Sequence, residues 1–402
     1  MAVSKTFAGM AKSFLESSDF PLSQLHSIKA LAAELDAFER VSGKLEKPTF
    51  GIESIKIAER NIKISEETVF THPFCSLKHF VKKEGKVSKK RDKLLIVAPL
   101  SGHFATLLRD TVFALLPHYD VFITDWEDAS NVPLSQGSFG LDDYVQYLLD
   151  FFKHLGGDAH EKIHVLGVCQ PVVPVLIATA LTHQLNLDFK PKSMILMGGP
   201  VDTRISPTKI NEMSKSSPLS FYKDYIVSEV PPYYKGAGRR VCPGFVMLMT
   251  FMSMNPDKHF KSYLNFVEDK SEGNEEKVAS HQKFYNEYLA VMDLPEEYLL
   301  DSVHHCFQEH TLPKGLYEWK GIKIDLSSIT QTALLTIEGE HDDISGLGQT
   351  KAAHDLCFNI PQNLQHHYQN PDVGHYGIFS GHRWREIISP KIVEFTQKIK
   401  ES

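Results

Sequence analysis

Short apolar runs alternate with helix-like stretches along this chain, and this rhythm constrains the fold more than any other feature of the sequence. Six short runs, most of them rich in Val, Ile, Leu or Met, have strand character: residues 94–98, 121–124, 163–166, 194–197, 333–337 and about 364–368. Near-continuous apolar strands separated by helices are typical of a parallel sheet that is covered on both faces. The sequence therefore predicts an α/β fold in which a mostly parallel sheet is flanked by helices.

The rhythm stops between about residues 201 and 328, in a block rich in Tyr, Phe, Met and Pro. An insertion of this size between two strands of one sheet predicts a mainly helical cap, or lid, domain; a second hydrophobic core is the alternative. We therefore expect four parts: an N-terminal helical arm (1–45), the first part of the α/β core (46–200), the cap (201–328) and the second part of the core (329–402).

The arm carries apolar residues at steps of three and four, which predicts one apolar stripe on a helix. That stripe is expected to pack on the core or at the subunit contact of a homodimer, and docking on another apolar surface is the alternative.

Charge and cysteine content exclude several classes of protein. The 402 residues carry a formal net charge of −7, whereas a nucleic-acid binder needs a basic surface, so we expect no nucleic-acid partner. Five cysteines are few and odd in number, which disfavours a disulfide framework and indicates a reducing compartment.

No apolar stretch reaches the roughly 18 residues of a transmembrane helix, and no signal peptide is recognisable. We expect a cytoplasmic protein without transmembrane association.

The strand at 163–166 leads into Gly167-Val168-Cys169-Gln170-Pro171, and a helix-like stretch follows. This arrangement is the nucleophile elbow of α/β-hydrolases, with Cys in place of Ser and Pro171 in place of the usual second Gly. We expect Cys169 to occupy a strained turn in which a side chain at Gly167 would collide. The following helix favours a thiolate, and the Gln170 N–H is placed to stabilise an oxyanion. The alternative is that Cys169 is a small buried hydrophobe.

A Gly turn follows the strand at 94–98, where α/β-hydrolases supply their second oxyanion donor. We assign that donor to the backbone N–H of His103, with Gly102 permitting the turn. An ordinary Gly turn is the alternative.

An acid and a histidine follow the last two strands. Asp342 is the candidate acid, chosen over Asp343 by its spacing from Gly339, and His375 is the candidate base. The chain order of nucleophile, acid and base is the order found in α/β-hydrolases.

A competing motif, His160-Glu161-Lys162-Ile163-His164, matches the zinc-protease signature, which requires a helix. His164 lies in the predicted strand that leads to the elbow, where residues four apart are separated by about 13 Å. Two rings at that distance cannot bind one zinc ion. We therefore expect no metal and no other cofactor.

With these motifs the chain resembles intracellular polyhydroxybutyrate (polyhydroxyalkanoate) depolymerases of the α/β-hydrolase superfamily. The resemblance lies in residues 98–107, 167–171, 197–204, 243–245, 251–255 and 338–346. It implies that Cys169 is the nucleophile, Asp342 the orienting acid and His375 the base. The implied reaction cleaves the esters of an amorphous poly(3-hydroxybutyrate)-type granule through an acyl-cysteine, and it releases 3-hydroxybutyrate monomers and oligomers at the granule surface.

Two other functions stay open at this point. A polyhydroxyalkanoate synthase-like cysteine acyltransferase would share the fold and the Cys nucleophile, although synthases usually have Gly where this chain has Pro171. A non-catalytic granule-associated protein would need no reactive thiol. Water, CoA or another acceptor would complete the reaction in the enzymatic alternatives.

Overall fold

A computed structural model of the protein describes residues 47–83, 91–157, 163–254, 261–262, 265, 269 and 274–401. The helical arm expected over 1–45 lies outside these residues. Among the residues described, no helix combines the length and the apolar character needed to cross a membrane.

The centre of the molecule is a nine-stranded sheet. Its strands are β1 (Ser54–Ile57), β2 (Arg60–His72), β3 (Cys75–Lys82), β4 (Lys93–Val97), β5 (Asp120–Trp126), β6 (Ile163–Val168), β7 (Ser193–Met197), β13 (Ala333–Gly339) and β14 (Gln365–Asn370). Their order is β1-β2-β3-β5-β4-β6-β7-β13-β14. The first four in that order pair antiparallel, and β5-β4-β6-β7-β13-β14 are all parallel neighbours.

The inner parallel strands are apolar because both of their faces are covered. Every residue of β6, β7 and β13 is buried. The α-helices of the core are Arg109–Leu115, Leu141–Gly156, Val172–Gln184, Ala353–Leu356, Gly381–Arg383 and Ser389–Glu401. The predicted α/β class, with a mostly parallel sheet flanked by helices, is confirmed.

Between β7 and β13 the chain leaves the main sheet. This block contains helices Lys209–Ser216, Leu219–Phe221, Gly244–Met254, Glu275–Tyr288 and Glu296–Ser302. It also contains a three-stranded antiparallel sheet of β8 (Ser228–Glu229), β9 (Arg240–Cys242) and β10 (Leu294–Pro295), and a hairpin of β11 (Glu318–Trp319) and β12 (Ile322–Lys323). The boundaries of the predicted cap at 201–328 stay a prediction.

Five of the parallel strands end at one edge of the sheet, where ligand sites of α/β folds form. The residues that follow these ends are Gly102 and His103 after β4, Cys169 after β6, Gly198 and Gly199 after β7, Asp342 after β13 and His375 after β14. The topology therefore collects all the sequence-predicted site residues at one place.

Candidate active site

Cys169 occupies the turn between β6 and helix Val172–Gln184. Its φ is +67°, in the left-handed region that non-glycine residues adopt only under constraint. The Cys169 N–H donates to the Met197 carbonyl at 2.7 Å, and the Cys169 carbonyl accepts from the Val172 N–H at 3.1 Å. A neighbouring strand and the following helix thus hold this half-buried thiol in a strained turn.

The structure is packed most closely around Gly199, and not around Gly167 as predicted. A Cβ atom on Gly167 would lie 3.4 Å from the Val172 nitrogen and from Val175 Cγ2, at the border of ordinary contact, so the predicted collision there is wrong. A Cβ atom on Gly199 would lie 2.4 Å from the Val172 side chain and 2.6 Å from the Cys169 carbonyl oxygen. The elbow can therefore form because β7 is followed by a residue without a side chain.

Gly198 lies against the other two candidate residues. Its φ is +54°, and a Cβ atom there would lie 3.2 Å from Asp342 Oδ2 and 3.3 Å from His375 Cε1. Gly198 and Gly199 are not among the site residues predicted from the sequence motifs. Their signal in the sequence is a Gly-Gly pair directly after an apolar strand.

Asp342 and His375 form a buried pair. His375 Nδ1 lies 2.8 Å from Asp342 Oδ2, and the two side chains are 4% and 1% exposed. The other carboxylate oxygen, Oδ1, accepts the N–H groups of Ile344 at 2.9 Å and Ser345 at 2.8 Å. Because a carboxylate only accepts, Nδ1 carries the proton and Nε2 is left to accept one. Asp343 is exposed.

Two opposing effects act on the His375 ring. Burial alone lowers its pKa, but the neighbouring Asp342 carboxylate and Cys169 side chain outweigh burial and raise the pKa well above its usual value. The ring is therefore a strong base with a thiol on one side and a carboxylate on the other. The structure brings Cys169, His375 and Asp342 together in one contiguous group.

The two proposed oxyanion donors lie after the neighbouring strands β4 and β6. Gly102 has a φ of +103°, which only glycine adopts readily, so the turn before His103 depends on it. Among the described residues, neither the His103 N–H nor the Gln170 N–H donates to a backbone carbonyl. Both groups are thus available to an acceptor on a substrate.

Aromatic side chains from two parts of the chain cover the site. The Tyr376 ring lies 5.8 Å from the His375 ring, centroid to centroid, and 5.6 Å from the Tyr288 ring. Tyr288 is 1% exposed and ends helix Glu275–Tyr288. Sequence reasoning missed both tyrosines, and the only local signal was that Tyr376 follows His375.

The loop that carries Asp342 is held by Glu338, a buried residue of β13. Glu338 Oε2 accepts from the Gly348 N–H at 2.9 Å, and Oε1 accepts from the Thr350 N–H at 2.8 Å and the Lys351 N–H at 3.0 Å. The Thr350 hydroxyl in turn bonds to the backbone of Gly199. The Glu338 carboxylate and the Thr350 hydroxyl therefore link the loop that carries Asp342 to Gly199, which packs against the nucleophile elbow.

We expect Glu338→Ala to lower the free energy of unfolding by about 3 kcal/mol or more, since it leaves three N–H groups without their acceptor and each such loss costs about 1–3 kcal/mol. Urea unfolding followed by far-ultraviolet circular dichroism measures the change. Glu340→Ala is the control because Glu340 is exposed and accepts one backbone N–H, that of Asp372. Equal losses for the two variants would contradict the role given to Glu338.

Three exposed side chains carry potential metal ligands. Among the described residues, Glu340, His341 and Asp372 place three potential ligand atoms within 4.8 Å of one another, but all three residues are exposed. His160 and Glu161 of the zinc-protease motif lie outside the described residues. His164 is buried in β6, where its Nδ1 lies 2.7 Å from the Ser193 hydroxyl.

Comparisons with known proteins extend this picture. The family model described as PHB de-polymerase C-terminus matches residues 198–400. No curated protein matches the chain. Among solved structures, the chain is similar to a soluble variant of monoglyceride lipase from Saccharomyces cerevisiae, with 10% identity, a TM-score of 0.51, and coverage of 86% of this chain and 98% of that one. It is also similar to a putative lipase from Acinetobacter baumannii, with 15% identity, a TM-score of 0.49, and coverage of 84% and 92%.

Proposed function

Because the chain belongs to the PHB depolymerase family and has the α/β-hydrolase fold, we propose that it hydrolyses the esters of a poly(3-hydroxybutyrate)-type polyester with Cys169 as the nucleophile. One observation carries this proposal. A thiol in a strained turn lies next to a buried imidazole with a raised pKa, and that imidazole is hydrogen-bonded to a buried carboxylate, all at the carboxyl edge of the sheet.

In the proposed reaction, His375 Nε2 takes the Cys169 proton and the thiolate attacks the ester carbonyl carbon. The N–H groups of His103 and Gln170 stabilise the resulting oxyanion. When the intermediate collapses, the C–O bond breaks and the imidazolium protonates the leaving alkoxide of the polymer. His375 then deprotonates a water molecule, which attacks the acyl-cysteine. The acid product is released and the thiol is restored.

An apolar polymer as substrate is supported by the surface of the block between β7 and β13. Large hydrophobic side chains are exposed there, between 38% and 76%: Ile205, Met213, Tyr225, Tyr233 and Phe284. In the proposed reaction these side chains contact the surface of the apolar polymer. We further propose that the protein acts in the cytoplasm at the surface of polyhydroxyalkanoate granules, with the block at 201–328 as its cap.

The decisive assay incubates the purified protein with amorphous poly(3-hydroxybutyrate) granules, with and without CoA, and identifies the products by mass spectrometry. We expect 3-hydroxybutyrate and its oligomers in water alone. Release of hydroxybutyryl-CoA only when CoA is present would identify CoA as the acceptor. A parallel reaction supplies hydroxybutyryl-CoA, and polymer growth with release of free CoA would instead support the synthase-like alternative.

Alkylation of the same preparation tests the nucleophile. Cys75, Cys242, Cys306 and Cys357 are buried, and burial raises the pKa of each thiol, to about 12 for Cys306 and Cys357. Iodoacetamide near pH 7 should therefore modify Cys169 first, and activity should fall in step with that modification, as peptide mapping would show. An unreactive Cys169 would favour the non-catalytic granule protein.

A further inference from the structure

The loop that carries the His103 N–H is hydrogen-bonded to a segment from the far side of the site. The Gly102 carbonyl accepts from the Met292 N–H at 2.8 Å, and His103 pairs with Val291 in an antiparallel bridge. His103 Nε2 lies 3.0 Å from the carbonyl oxygen of Tyr288. The loop therefore takes its geometry from residues 288–292 as well as from β4.

The His103 ring is buried and neutral. Only 3% of the residue is exposed, and its ring lies 5.0 Å from the Tyr288 ring and 5.8 Å from the Phe251 ring, centroid to centroid. Burial lowers the pKa of His103 to about 4, so the ring is uncharged near pH 7. Because a carbonyl oxygen only accepts, Nε2 carries the hydrogen and donates it to Tyr288.

Helix Gly244–Met254 also packs closely against this loop. A Cβ atom on Gly102 would lie 2.9 Å from Met247 Cβ, on helix Gly244–Met254. Gly244 itself packs on residue 292, where an added Cβ atom would lie 2.3 Å from the Met292 carbonyl oxygen. The loop, this helix and residues 288–292 therefore form one packed unit.

The end of helix Glu275–Tyr288 is also fixed to the core. Glu287 forms an ion pair with Arg109, and the two side chains are 11% and 18% exposed. Arg109 additionally donates to the backbone of residues 49 and 50. Residues 287 and 288 are thus anchored independently of substrate.

We propose that the His103 imidazole is a positioning residue, which directs its own backbone N–H at the oxyanion by donating a hydrogen bond to the Tyr288 carbonyl. This inference rests on the proposed function. If His103 acts in this way, the geometry of the oxyanion site depends on both β4 and the inserted block. Residues 288–292 must then stay in place while substrate enters elsewhere.

The test separates ester attack from thiol reactivity, using His103→Phe and His103→Gln. The Phe ring preserves the aromatic packing but cannot donate, whereas the Gln amide restores an N–H donor. Each variant is assayed for p-nitrophenyl butyrate hydrolysis, which forms an oxyanion, and for iodoacetamide alkylation of Cys169, which does not. Thermal unfolding shows that each variant is folded.

For His103→Phe we expect kcat to fall by about 30-fold with KM changed less than about threefold, since loss of a whole oxyanion donor costs about 100- to 1,000-fold and this change only misdirects one. Alkylation should stay within about twofold of the wild type, and His103→Gln should recover most of kcat. Equal losses of hydrolysis and alkylation, or full activity in His103→Phe, would overturn the proposal. A wild-type protein without Cys169-dependent hydrolysis would refute the proposed function itself.

Discussion

Cys169→Ala is expected to lower kcat/KM for ester hydrolysis by at least about 10⁴-fold, because the proposed acyl intermediate forms on the Cys169 thiol. The fold should persist, since the Cys169 backbone hydrogen bonds to Met197 and Val172 do not involve the thiol. Hydrolysis of p-nitrophenyl butyrate and release of 3-hydroxybutyrate from granules measure the loss. Retention of more than about one per cent of the activity would exclude Cys169 as nucleophile.

Two further variants test the backbone strain at Cys169 and the effect of losing a thiol elsewhere. Cys169→Gly should be equally inactive but more stable to urea than Cys169→Ala by about 1 kcal/mol, because glycine accepts the left-handed φ of +67° without strain. Cys357→Ala is the control for loss of a thiol, since Cys357 is fully buried and has no role in the proposed reaction, so this variant should keep its activity. A Gly variant less stable than the Ala variant would mean that the turn holds no strain.

Asp342→Asn should lower kcat by about 10³- to 10⁴-fold with little change in KM. The Asn carbonyl oxygen can still accept the N–H groups of Ile344 and Ser345, so its amide nitrogen must face His375 Nδ1. An amide nitrogen donates, which forces the ring hydrogen onto Nε2 and leaves no acceptor for the Cys169 proton. Steady-state kinetics on a soluble ester measures this loss.

The same substitution should change the pH dependence of Cys169 alkylation. In the wild type the Asp342 carboxylate helps to raise the pKa of His375, which stabilises the imidazolium beside a thiolate. Without that carboxylate the pKa of His375 falls, so the thiolate forms only at higher pH and the alkylation midpoint moves upward. Asp343→Asn, one residue away and exposed, should alter neither the kinetics nor the midpoint. A large effect at Asp343 would contradict the assignment.

A strand is easiest to recognise from the sequence when all of its residues are buried. Strands β6, β7 and β13 are buried along their whole length, so their apolar runs identify them without knowledge of their neighbours. Strand β14 lies at the edge of the sheet and is half-exposed, and its His-rich sequence indicates its bounds only roughly. The carboxyl ends of such strands also locate the candidate residues, because parallel strands end at a common edge.

Choices between neighbouring residues depend on partners that are distant in sequence. The carboxylate that is hydrogen-bonded to His375, 33 positions further along the chain, belongs to Asp342, whereas Asp343 is exposed. The space for the elbow comes from Gly199, not Gly167, because a separate strand passes beside Cys169.

The sequence by itself determined the class of fold, the edge of the sheet where the site lies and the set of chemical groups available there, since these follow from local periodicity and from motifs of a few residues. Only the tertiary structure decided which groups touch. The contact from His103 to the Tyr288 carbonyl joins positions 185 residues apart, and a contact across that separation leaves no periodic trace in the chain. It arises because the inserted block packs against the loop after β4.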